Sequence, residues 1–201
     1  AHDGTRPCPV PEGVREVRVP ADLLKSLSTT ESPQGVLFLC RQPQLTLPKT
    51  LPGTRFLVLD GVQDPGNVGT IWRTADAFGA DGLILLPGCA DPFSPKTVRA
   101  TMGACFRLPA WETTLEELVP ALEALGLPLY ATALREDTDD VRRTDLSRCA
   151  VVIGSEGRGV SQIVLDHCAG TLKIPMRQRC ESLNAAVAAS VVLREMARTL
   201  L

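Results

Sequence analysis

The sequence predicts an α/β fold in which a mostly parallel sheet is covered by helices on both faces. Two observations predict it. From residue 55 onward, short apolar runs alternate with longer stretches of helical composition, and Gly, Pro and Asn mark many of the boundaries. The 201 residues, 44% of them hydrophobic, also suffice for one domain with a sizeable core, because a chain of this length buries roughly 70% of its unfolded surface.

Each element follows in order. The run RFLVLD at 55–60 reads as the first strand of the body, and the segment 67–79 after Pro65 and Gly66 as its first helix. GLILLP at 82–87 is the next strand, and 94–102 the helix after it. A third helix spans 114–126, where Thr113 or Thr114 with Glu117 offers capping-box chemistry. Strands at 127–134, 149–154 and 170–174 then alternate with helices at 159–168 and 183–200. Upstream, 14–19, 21–27 and 35–40 suggest strand, helix, strand, too little for a core alone. Residues 1–40 are therefore expected to be the remainder of a small α/β domain or an ordered arm. Residues 41–54, RQPQLTLPKTLPGT, carry three prolines and no helical period and are expected to link that part to the body at 55–201.

Charge narrows the function. Lys plus Arg number 21 against 23 for Asp plus Glu, a net charge of −2, so there is no overall basic field to hold nucleic acid nonspecifically. Any such binding must be local and shaped. No stretch reaches the ~18 consecutive apolar residues of a membrane span, and AHDGTRPCPVPEG lacks the apolar core of a secretory signal. Seven cysteines, an odd number without a CxxC pair, read as buried thiols in a reducing compartment, with the cytoplasm or an organelle matrix as the expected address. His2 and His167 lie far apart and at no metal-ligand spacing, so no metal is expected. The charged run 135–145 is either a solvated loop or an RNA-facing edge containing Arg142 and Arg143.

Three segments carry chemistry. In DPGNVGTIWR, 64–73, Asn67 can cap a helix and Arg73 can reach back toward its anion-friendly start. In VVIGSEGRGV, 151–160, a buried strand enters a glycine-dense turn holding Glu156, where backbone can approach a ligand closely. That turn matches neither GxxxxGK[ST] nor GxGxxG, so Walker and dinucleotide loops are ruled out. In IPMRQRCESLNAAVAAS, 174–190, a polar loop leads into a helix of small residues that admits a close neighbour. Ser182 or Asn184 can cap that helix.

Together and in this order, NxGxxxR at 67–73, GSEGRG at 154–159 and IPM…ESLN at 174–184 resemble the three motifs of the SpoU/TrmH family of RNA ribose 2′-O-methyltransferases. The stretches DPFSPK at 91–96 and RATMGA at 99–104 are similar to the family's connecting segments, with Thr101 where Ser is more usual. Residues 30–36 resemble the tail of an L30e-like RNA-binding domain. The resemblance implies a SPOUT fold with a deep C-terminal trefoil knot, an exception to the usual absence of threading. It further implies S-adenosylmethionine contacted at Thr132, Gly154, Glu156, Gly157, Ile174, Met176, Ser182 and Leu183, and a homodimer whose active site is completed across the interface. Arg73 would be the central catalytic group, with Asn67, Glu156, Ser182 and Asn184 around it. RNA would be met by Arg73, Arg99, Arg107, Arg142, Arg143, Arg177 and Arg179. Competing readings are a knotted RNA base methyltransferase, a noncatalytic RNA-binding protein on the same scaffold, and a nucleotide-dependent oxidoreductase, the last disfavoured by the missing fingerprint. The expected substrate is ribosomal RNA of the 23S type, or else transfer RNA.

Overall fold

A computed structural model of the chain describes residues 9–133, 135, 138–177 and 182–200. The chain divides into two compact units, one ending at Pro43 and the other beginning at Gln44. In the first unit, helix α1 (Ala21–Leu27) buries Leu24. The segments 14–19 and 35–40, expected as strands, form none among the described residues apart from a single bridge residue at Val19. Leu37, Phe38 and Leu39 stand in solvent, and an extended segment without a hydrogen-bonded neighbour has nothing to make it a strand.

The second unit is built on seven parallel strands, β1 (Arg55–Asp60), β2 (Gly82–Leu85), β3 (Ala110–Glu112), β4 (Leu129–Thr132), β5 (Asp139–Asp140), β6 (Cys149–Gly154) and β7 (Gly170–Lys173). Their order across the sheet is β3-β2-β1-β6-β4-β7-β5, every adjacent pair parallel. Helices α2 (Pro65–Ala77), α3 (Pro95–Ala100), α4 (Leu115–Glu123), α5 (Gln162–Leu165) and α6 (Ala185–Met196) connect or follow them, with a 3₁₀ turn at Ala104–Phe106. Strand residues alternate between two cores. Leu57, Leu59, Leu83, Leu85, Val151 and Ile153 pack with α2 and α6, whereas Phe56, Val58, Ile84, Ala150 and Val152 pack with α4 and α5. A strand covered on both faces reads as one apolar run, and all six residues of β6 are buried.

Two short strands lie outside what the sequence indicates. β3 and β5 border the sheet, and β5 falls within the charged run 135–145. Edge strands are held by backbone pairing on one side, which charged side chains tolerate well. The expected linker also differs from free connecting chain. Leu51 is buried, Glu112 N–H donates to the Leu45 carbonyl at 2.7 Å, and Thr46 bridges Glu112 in parallel, so residues from 44 pack as part of the second unit. The helix expected at 159–168 shrinks to α5, because Gly159 (φ +68°) still belongs to the preceding loop.

Candidate functional site

The register sets the site. β1 ends level with β6, Asp60 opposite Gly154, and β4 and β7 end beside them at Thr132 and Lys173. In an open α/β sheet, the carboxyl ends of the strands border the ligand crevice. Here that edge carries the loop 154–160, folded back on itself by paired backbone bonds between Ser155 and Gly159 (3.1 and 2.9 Å). Asp60 Oδ2 accepts the Ser161 N–H at 2.7 Å and ties the loop's far end to β1.

Beneath this loop lies a cavity of about 340 Å³. Its walls are the ends of β4 (Thr132, Ala133), β6 (Ile153, Gly154) and β7 (Leu172, Ile174), together with Ala185 and Ala188 of α6. Ser155, Glu156, Gly157 and Gly159 border it from the loop, and Met176, Ser182 and Leu183 from the segment before α6. The structure thus gathers Thr132, Gly154, Glu156, Gly157, Ile174, Met176, Ser182 and Leu183 around one space. Leu172, Ala133, Ala185 and Ala188 also line it and were not singled out by sequence reasoning. Their signal is positional, since they sit at strand ends and in the first turns of the small-residue helix.

A chain of side-chain bonds joins the three motifs. The sequence expects Asn67 to cap α2, but Asp64 does so, because Pro65 takes the first helical position and leaves Asp64 as the extended residue before it. Asp64 Oδ1 accepts the Asn67 N–H at 3.0 Å, and its Oδ2 pairs with Lys96 Nζ at 3.0 Å. The hydrogen bond from Lys96, then that from Asn67, holds the Asp64 carboxyl below the usual carboxylate range. This frees the Asn67 side chain. Asn67 Nδ2 donates to Glu156 Oε1 at 2.5 Å, and Asn67 Oδ1 accepts from Asn184 Nδ2 at 3.2 Å. Asn184 Oδ1 in turn caps α6, accepting from Ala186 N (2.9 Å) and Val187 N (3.3 Å). The donors at the start of α6 orient Asn184, Asn184 orients Asn67, and Asn67 presents a donor to Glu156 at the cavity rim. The motif glycine Gly69 serves packing, since a Cβ there would lie 2.4 Å from the Thr97 carbonyl oxygen on α3.

Arg73 is exposed on α2, its side chain makes no hydrogen bond or ion pair among the described residues, and it does not line the cavity. Other arginines are variously engaged. Arg107 grips Asp76 at 2.6 Å and Arg142 grips Asp140 at 2.6 Å. Arg99, Arg143 and Arg177 are exposed, while Arg179 lies outside the described residues. Of the described cysteines, burial pushes Cys89 up to about 11 and Cys149 and Cys168 up to about 12, so they stay protonated thiols. Cys40 is exposed, contrary to the expectation of burial, because the segment before it forms no strand. His167 Nδ1 lies 2.9 Å from the Ile163 carbonyl of its own helical turn, away from the cavity lining. Among the described residues no group of three or more His, Cys, Asp or Glu converges as a metal site, and no helix is long and apolar enough to cross a membrane.

Known proteins resemble this chain in sequence and fold. Residues 54–194 match the SpoU rRNA Methylase family. The 23S rRNA (guanosine(2553)-2′-O)-methyltransferase RlmP of Bacillus subtilis is 35% identical over 192 residues, spanning 95% of this chain and 76% of its own. The AdoMet-bound rRNA methyltransferase from Sinorhizobium meliloti has a TM-score of 0.81 at 36% identity, over 92% of this chain and 72% of that one. The SpoU methyltransferase AviRb from Streptomyces viridochromogenes, in complex with AdoMet, has a TM-score of 0.73 at 34% identity, over 79% and 66%.

Proposed function

Because the chain belongs to the SpoU rRNA Methylase family, we propose that it transfers a methyl group from S-adenosylmethionine to a ribose 2′-hydroxyl of RNA, with ribosomal RNA as the first candidate substrate and transfer RNA as the second. The observation that carries this reading is the convergence of the second and third motifs on one cavity, with the first tied to both by the Asn184–Asn67–Glu156 bonds. The donor set suits the cofactor. Ile153, Leu172, Ile174 and Leu183 offer apolar surface to a purine ring, the strand ends offer backbone polar groups to its edge, and Glu156 offers a carboxylate at the rim.

S-adenosylmethionine supplies an electrophilic methyl group on a sulfonium. The chain's task is to hold the attacking hydroxyl in line and to stabilise the oxyanion that develops there. Arg73 is the residue for that. Its guanidinium, with a pKa above ~12, is a donor and not a base, so it binds an RNA phosphate and the developing alkoxide, while a phosphate oxygen or water takes the proton. Asn67 orients Glu156, and Ser182 and Asn184 shape the pocket beside it. Since Arg73 does not line the cavity of its own chain, the reading includes a homodimer in which a second copy completes the site. Ala185, Ala186 and Ala189 are buried in the chain's own core, which leaves the other face of α6, with Val187 exposed and Val191 half-buried, for a second copy. It also includes a trefoil knot through the C-terminal segment and work in the cytoplasm or an organelle matrix.

Calorimetric titration with S-adenosylmethionine and S-adenosylhomocysteine tests the cavity. Saturable binding is expected, and Leu183→Arg, which puts a guanidinium into the cavity wall, should weaken it by about 100-fold, equivalent to roughly 2.8 kcal/mol. Digestion of methylated RNA should then release a 2′-O-methyl nucleoside. A methylated base would establish base methylation instead. No cofactor binding by the folded protein would favour the noncatalytic RNA-binding reading. Asn67→Asp replaces the donor facing Glu156 with a second carboxylate and is expected to lower kcat by about 10- to 100-fold, since a broken charge-assisted bond costs about 1.5–3 kcal/mol. Turnover at the wild-type level would leave the three-residue chain without a part in the reaction.

A further inference from the structure

A second recess opens at the edge of the same sheet. β5 runs beside β7 with Asp140 opposite Lys173, and Thr138, Asp139, Asp140, Arg143, Thr144 and Lys173 line a polar cleft of about 600 Å³. Its donors are few and defined. The Thr138 hydroxyl donates to the Arg135 carbonyl (2.7 Å) and the Thr144 hydroxyl to the Asp140 carbonyl (3.2 Å), so both hydrogens are spent within the fold. The side chains of Arg143 and Lys173 are exposed and have no hydrogen-bond or ion-pair partner among the described residues.

The acidic residues do not cancel these two cations. Arg142 closes on Asp140 through Nη2 at 2.6 Å and Nε at 3.0 Å, and its own backbone N–H adds a bond at 2.9 Å. Those bonds from Arg142 push the Asp140 carboxyl down to about 2, with Arg143 adding a smaller effect of the same sign. Among the described residues of the cleft, the Arg142–Asp140 pair leaves Arg143 and Lys173 set against Asp139, a balance of one positive charge. That is a local cationic feature on a chain whose net charge is −2.

Its position ties it to the methyl site. Successive residues of a strand point to opposite faces, and Leu172 and Ile174, on either side of Lys173, line the cofactor cavity. One strand end therefore separates the two recesses. None of the described residues lining the cleft is aromatic, so none can stack a base, and an open polar recess does not enclose a small molecule. We propose that Arg143 and Lys173 bind a backbone phosphate of the RNA strand whose ribose enters the methyl cavity, fixing its register without reading its sequence. This rests on the methyltransferase reading above.

The test is equilibrium binding of a 23S rRNA transcript to the full chain across a salt series, with S-adenosylmethionine calorimetry alongside. The double variant Lys173→Gln/Arg143→Gln is expected to flatten the dependence of log affinity on log salt by about one, because the two cations share one phosphate. Cofactor affinity and the thermal melt should stay unchanged, because both side chains are exposed. Asp139→Asn, which removes the opposing charge, should tighten RNA binding. An unchanged salt slope in the double variant, or wild-type protein that binds the cofactor but not the transcript, overturns the cleft while the methyl site stands. A wild-type protein that binds neither overturns both readings.

Discussion

Arg73→Lys is expected to lower turnover by about 100-fold or more, the usual cost of losing a preorganised donor to a developing oxyanion, while S-adenosylmethionine affinity stays within about twofold, far below the 1.4 kcal/mol of a tenfold change. The two readouts separate because Arg73 is exposed on α2 and forms no part of the cavity wall. Its neighbour Trp72 is buried and donates Nε1–H to the Leu108 carbonyl at 3.0 Å, which holds α2 in place and fixes where residue 73 emerges. Lysine keeps the charge but loses the planar fork that can bind a phosphate and an alkoxide together. Single-turnover rates at saturating cofactor, with calorimetry on the same preparation, make the measurement. Near-normal turnover would remove Arg73 from the mechanism.

Gly154→Ala is expected to cost stability and cofactor binding together. A Cβ at 154 would lie 2.1 Å from the Gly159 carbonyl carbon, 2.2 Å from Val160 N and 2.4 Å from Gly159 O, all backbone atoms with no rotamer to yield. The loop would have to leave β6, breaking the Ser155–Gly159 pair that borders the cavity. Overpacking of this kind costs about 3 kcal/mol or more, read as a lower unfolding midpoint in urea. Gly157 provides the contrast within the same loop, because nothing lies within 4 Å of a Cβ there and its φ is not positive. Gly157→Ala should therefore change stability by no more than about 1 kcal/mol. Equal effects at both positions would mean that the loop is not packed as described.

By itself, the sequence determined the elements whose pattern is local. β1 and β6 have the bounds expected for 55–60 and 149–154, because a strand buried on both faces must be apolar throughout and its neighbours are turn-formers. The motif residues were legible for a similar reason, since Asn67, Arg73, Glu156, Ser182 and Asn184 stand in short contiguous patterns. Only the tertiary structure decided what those patterns do to one another. It inserts β6 between β1 and β4, brings Asn67 and Asn184 within a hydrogen bond across 117 residues of chain, and moves the cap of α2 from Asn67 to Asp64. It also makes an edge strand of two aspartates and packs the proline-rich stretch from Gln44 onto the sheet. The physical reason is the same in each case. Hydrophobic periodicity records which face a residue buries, whereas backbone pairing at an edge, a cap and a side-chain hydrogen bond depend on which partner the rest of the fold delivers.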